Sequence, residues 1–233
     1  MAMNLDGPHI LFYACEIIAF LISISVHESA HALVADMNGD PTARQLGRVT
    51  LNPVRHIELF GTIIFPLISL VSGFGIFGWA KPTPVIGRNF RNYRMGDILT
   101  TLAGPASNFL LAGISLVLLV LIALVSHEGK AILDSLIYGQ FQVSGSALVP
   151  FVLLLYVSIE INVILGIFNL IPVPPLDGSH VIRHFLPEPV LRLYDRMGMI
   201  GLILLFVVGG RFLGQIIEPF LRISNAMLLQ LTR

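Results

Sequence analysis

A histidine pair set at the end of a lipid-soluble helix constrains this chain more than any other feature. The run from Ile10 to Ile24 holds Glu16 as its only charged residue and passes without a break into Ser25-Val26-His27-Glu28-Ser29-Ala30-His31. Helical residues four apart share a face, with side chains about 6 Å apart, which suits two imidazoles on one tetrahedral zinc ion. Glu28 sits roughly 100° round the helix. From there it reaches water on the metal without ligating the metal, the general-base position of a zinc hydrolase.

Composition narrows the setting. Of 233 residues, 55% are hydrophobic and only 12% charged, with a mean hydropathy of +0.83. Soluble domains carry about 25% charge, so a water-soluble fold is excluded and a multi-pass membrane protein is expected. The net charge is zero, and no nucleic-acid partner is expected. Cys15 has no partner for a disulfide. Met1 to Asp6 lacks the basic region and small-residue cleavage site of a signal peptide, which predicts a retained first span.

The pattern predicts a long helix over residues 10–37, stopped at Asn38-Gly39-Asp40-Pro41. At about 40 Å it exceeds the ~30 Å hydrocarbon core and puts His27 near one interface. Alternation around Leu46, Val49 and Leu51 suggests short strands or a hairpin. Residues 61–73 are apolar, short and interrupted by Pro66, fitting a tilted short span or a re-entrant helix. Arg44, Arg48 and Arg55 precede that run and Lys81, Arg88, Arg91 and Arg94 follow it. Both basic segments belong on the cytoplasmic side, which favours re-entry.

Residues 76–86 read as an edge strand, because Pro82 and Pro84 are tolerable only there. Such an edge can pair with an unfolded peptide. A second span is expected over residues 97–125, with Gly104 and Asn108 on one face. Lys130 is the only Lys or Arg of the loop 126–146, which marks the outer side. A third span, residues 147–171, carries Glu160, Asn162 and Asn169 and breaks at Pro172, Pro174 and Pro175 just before Asp177. A short helix (179–186), an apolar helix (190–213) and an amphipathic tail complete the chain. The expected fold is an all-α polytopic membrane protein, a bundle of about 4–6 transmembrane or re-entrant helices with short membrane-associated β-strands near the site. One domain spans residues 1–233, with a core over 10–186 and a C-terminal helix and tail over 190–233.

Two histidines leave a catalytic zinc one protein ligand short. The candidates are Asp177, His56, His180, His184 and Glu160. Asp177 is favoured because the prolines constrain its approach and the topology brings it to the level of His27 and His31.

Taken in order, His27-Glu28-x-x-His31, Gly104-x-x-x-Asn108 and Asn169 through Leu176-Asp177-Gly178 resemble the site-2 protease family of intramembrane zinc metalloproteases. Residues 52–57 and 78–85 resemble its small standalone branch, which lacks PDZ and CBS domains. The resemblance implies one zinc ion per chain, held by His27, His31 and Asp177, with Glu28 as catalytic acid/base. It implies a membrane-protein substrate bound as an added strand along Gly78, Trp79, Ala80, Lys81 and Pro82. His56, Gly104, Asn108, Asn162 and Asn169 would line or support the site. The implied reaction is hydrolysis of a peptide bond in or near a transmembrane segment, in a bacterial or archaeal cell membrane, with the site towards the cytoplasm. The rival readings are a catalytically silent metal-binding protein, a zinc transporter, and a prenyl-protein protease. The last needs a later glutamate ligand, for which Glu160 is poorly placed.

Overall fold

The computed structural model describes residues 7–71, 76, 78–140 and 145–232. Over these the chain is helical: α1 (Gly7–Met37), α2 (Thr42–Gln45), α3 (Phe65–Val71), α4 (Tyr93–Val125), α5 (His127–Ile137), α6 (Val149–Asn169), α7 (Asp177–Arg183) and α8 (Glu188–Leu231). Three of them, α1, α4 and α6, are long and apolar enough to cross a membrane. These three pack on one another, burying Ala19, Phe20 and Ile24 of α1, Ala112, Leu119 and Ala123 of α4, and Val152, Leu153 and Val157 of α6. Small residues at the crossings let the backbones approach closely, which is how helices associate where lipid removes the hydrophobic incentive. Ile18, Ile22, Leu110, Val117 and Leu121 point outward, as lipid-facing side chains do.

The expected strands are absent among the described residues. The predicted hairpin region holds α2 and a 3-10 turn at Pro53–Arg55, whose Val54 N–H is capped by the Asn52 side chain. Residues 78–86 are extended but pair with no strand. Trp79 and Lys81 donate their N–H groups to Gly61 and His56 carbonyls at 3.0 and 2.8 Å, which lie in irregular and helical chain. Pro82 and Pro84 have no N–H to offer on the opposite edge, and no ladder forms on either side among the described residues. The apolar run becomes a π-helical turn (Leu59–Ile64), capped by the Glu58 carboxylate, continued by α3. At about 20 Å it falls short of a bilayer core. Residues 72–75 and 77, parts of both expected segments, lie outside the described residues. The loop expected on the outer side contains an unexpected helix, α5, capped by Ser126. The last helix and tail form one element, α8, bent at Gly198, whose φ of 42° is a glycine conformation.

Residues 79–89 form a strap laid across the end of α1. Asp40, fully buried, anchors its far end by accepting hydrogen bonds from the Ile86 N–H (2.6 Å) and the Asn89 side-chain amide (2.8 Å), as well as from Thr42. Burial pushes the Asp40 carboxyl up, but these donors outweigh it and hold the group below the usual carboxylate range. A depressed folded pKa gives stability that is present above the unfolded value and lost as pH falls. Asp40→Ala should therefore lower the unfolding midpoint by about 5 °C at pH 7. The gap to wild type should close as pH falls below about 4, as followed by thermal melts in detergent.

Candidate metal centre

Two turns of α1 and the first residue of α7 bring three ligand atoms together. His27 Nε2 and His31 Nε2 lie 3.0 Å apart, and Asp177 Oδ2 lies 3.2 and 3.4 Å from them. Ligands about 2.0–2.1 Å from a tetrahedral zinc ion are roughly 3.3 Å from one another, so the three atoms already form one face of such a tetrahedron. Asp177 follows the Pro172-to-Leu176 turn as the first residue of a short helix rather than on unwound chain.

Proton bookkeeping shows what the cluster lacks. The Ser158 carbonyl accepts from Asn162 Nδ2 (2.8 Å), which turns Asn162 Oδ1 towards Asn108. Asn108 meets it with Nδ2 at 2.8 Å and so presents Oδ1 to His27 Nδ1 at 2.6 Å. His27 must then donate from Nδ1. His31 likewise donates from Nδ1 to the Thr100 carbonyl at 2.7 Å. Both neutral rings therefore carry their lone pair on Nε2, the tautomer a metal needs. Asp177 Oδ2 is buried and receives no hydrogen bond from any described residue. Three acceptors converge with no donor between them, and a divalent cation is the partner that fits.

Gly104 makes the room. A Cβ built there would lie 2.4 Å from His31 Nε2 and 2.6 Å from His27 Cε1. Any side chain at this position would collide with the two imidazoles. On the adjoining face of α1, Glu28 Oε2 accepts hydrogen bonds from the N–H and the hydroxyl of Thr83, at 2.8 and 2.7 Å.

The profile for Peptidase family M50 matches residues 15–208. The chain belongs to this family. It is 36% identical over 216 residues, 92% of this chain and 89% of the relative, to the Bacillus subtilis protein named "Putative zinc metalloprotease YwhC". It is 28% identical over 173 residues, 74% of this chain and 58% of the relative, to the Mycolicibacterium smegmatis protein named "Putative zinc metalloprotease Rip2". No solved structure matches it. M50 membership makes it a zinc metalloprotease of the site-2 type, and the three apolar helices make it a multi-pass membrane protein.

In this M50 chain the other candidate residues fall into three groups. Asn108 and Asn162 join the ligand network described above. His56, Gly78, Trp79, Ala80, Lys81 and Pro82 build the strap and its bed. His56 is fully buried and turns Nε2 to the Thr50 carbonyl at 2.8 Å. Trp79 covers Gly61 and packs against Phe65 in a tilted pair with ring centroids 4.9 Å apart. The Arg48 guanidinium donates to the Lys81 and Pro82 carbonyls. Among the described residues, the Asn169 side chain bonds within its own helix, to the Leu165 carbonyl. Of the rival ligands, His180 and His184 both face Asp97, at 3.5 and 2.7 Å, which ties α7 to the start of α4. Glu160 pairs with Tyr156 on its own helix.

Sequence reasoning missed Thr83, Arg48, Asp97 and Ser23. Ser23 had a visible signal, a hydroxyl in an apolar run, but a serine there also satisfies itself on its own helix. Two substitutions test the centre. Gly104→Ala should cut zinc content at least about tenfold without loss of helix, because alanine is the better helix former, as read by metal analysis and circular dichroism. Asp177→Ala should do the same, and full zinc content in that variant would move the third-ligand role elsewhere.

Proposed function

We propose that this chain is an intramembrane zinc endopeptidase that hydrolyses peptide bonds in or near the transmembrane segments of other membrane proteins. The observation that carries this reading is the convergence of three lone-pair donors, His27 Nε2, His31 Nε2 and Asp177 Oδ2, at the end of a membrane-spanning helix with Glu28 as the next residue after the first ligand. Among the described residues only three protein ligands are supplied, which leaves the open position of a catalytic rather than a structural zinc site. A zinc ion held there supplies Lewis acidity to a peptide carbonyl and lowers the pKa of water towards 7.

The chain's own residues do the rest. Glu28 takes the proton of the attacking water and passes it to the leaving amine. Asn108 and Thr100 hold the two imidazoles in the tautomer that leaves Nε2 unprotonated. The strap presents little free edge, so a substrate strand pairing along residues 78–82 would rely on the Ala80 backbone groups, with Pro82 contributing no N–H. The basic residues Arg44, Arg88, Arg91 and Arg94, near the same end of the bundle as His31, support a cytoplasmic orientation of the site.

Comparison of wild type with Glu28→Gln decides the matter. The variant should retain one zinc per chain and lose at least about a thousandfold in cleavage of a single-span reporter in proteoliposomes. Comparable cleavage by both proteins would remove Glu28 from the mechanism, and intact single-span proteins should accumulate in cells that carry only the variant.

A further inference from the structure

Resting on the proteolytic reading above, we propose that the strap acts through Thr83 as the positioning residue for Glu28. Thr83 directs two donors, its backbone N–H at 2.8 Å and its hydroxyl at 2.7 Å, onto the same carboxylate oxygen, Oε2. The hydroxyl also lies 2.9 Å from the Glu28 backbone carbonyl. A glutamate has three side-chain torsions to lose, and holding one oxygen fixes them together, leaving Oε1 to exchange the proton. Charge-assisted hydrogen bonds of this kind are roughly twice as strong as neutral ones.

The rest of the strap explains how one threonine can hold a carboxylate so firmly. Pro82 and Pro84 flank it and fix the local backbone. Upstream, the Thr62 hydroxyl donates to the Trp79 carbonyl at 2.9 Å, the Lys81 N–H to His56 at 2.8 Å, and Arg48 to Lys81 and to Pro82 at 3.0 Å. Downstream, Asp40 receives Ile86 and Asn89. Arg48 is nine-tenths buried with no carboxylate bonded to it, and its Nε has no hydrogen-bond partner. Its guanidinium is spent on the strap carbonyls of Lys81 and Pro82 and on the Arg55 carbonyl beside them, so it places Thr83 by hydrogen bonds while its charge acts on Glu28 only through space. Thr83 is the one residue in this segment whose N–H and side chain both turn to the catalytic helix.

The two prolines also make the contact measurable, because neither has an amide hydrogen and Thr83 exchanges alone between them. In the zinc-loaded full chain in nanodiscs, Glu28→Ala should speed hydrogen exchange at the Thr83 amide at least about tenfold, with Lys81 unchanged. Equal Thr83 exchange in wild type and Glu28→Ala would overturn the contact. In proteoliposomes with a single-span reporter, Thr83→Val should lower kcat about 10–100-fold at unchanged KM and zinc content, and Thr83→Ser should restore it. Wild-type kcat in Thr83→Val would overturn the positioning role while leaving the proteolytic reading intact. If instead wild type and Glu28→Gln leave the reporter equally uncut, the proteolytic reading falls and the role of Thr83 falls with it. The exchange contrast would then still show the contact, which tells the two failures apart.

Discussion

Three acceptor atoms facing one another across little more than 3 Å, at the end of a helix built to sit in lipid, form the constraint on which the remainder of this structure depends. In water such a cluster would be dispersed by hydration. Here the effective dielectric is low, and an uncompensated group costs several kcal/mol. The fold tolerates the arrangement because it is complete only with a cation. Each neighbouring feature serves that completion: a glycine where any side chain would intrude, an accept-only carbonyl behind one ring, an oriented amide behind the other. The third ligand comes from a separate element, tied to α4 by Asp97 through His180 and His184.

Polar groups on the spanning helices are otherwise sparing and mostly paired, the buried Thr100 hydroxyl being an exception. Ser23, Asn108, Asn162, Ser115 and Ser158 bond to one another or to backbone across α1, α4 and α6. They contribute interhelical hydrogen bonds of the modest strength typical of membrane interiors. Their greater value is directional. The more exposed machinery, the strap and its bed, is irregular chain kept in place by buried charged groups, Asp40 and Arg48. Irregular backbone near the bilayer is tolerable when protein groups meet its hydrogen-bonding needs.

Much of the site was legible in the residues before any coordinates. His27, His31 and Glu28 follow from helical spacing, which is local and hard to misread. Asp177 was reachable because prolines limit where a chain can go and because the topology returns it to the right level. The three long helices were legible from length and apolarity. The strands were not, and the reason is specific. A period-two pattern with prolines describes extended chain, but a sheet also needs a partner offering a regular row of donors and acceptors. The Gly61 and His56 carbonyls are isolated offers from helical and irregular segments. Thr83 stayed hidden for a related reason. Its chemistry lies in a contact to Glu28 across 55 positions of sequence, which no periodicity records. His180 and His184 show the opposite failure, since metal-like spacing here serves an aspartate.

The amide chain behind His27 has a polarity worth following to its end. The ring donates to Asn108, Asn108 to Asn162, Asn162 to Ser23, and Ser23 to the carbonyl of Ala19 at 2.7 Å. Every link points the same way, and the last lands on the backbone of the helix that bears the ring, two turns earlier. The circuit thus leaves α1, visits two neighbours and comes home. Shear between these three rods cannot occur without stretching a link or swivelling the imidazole. The metal-binding geometry is therefore mechanically coupled to how the three helices seat against one another.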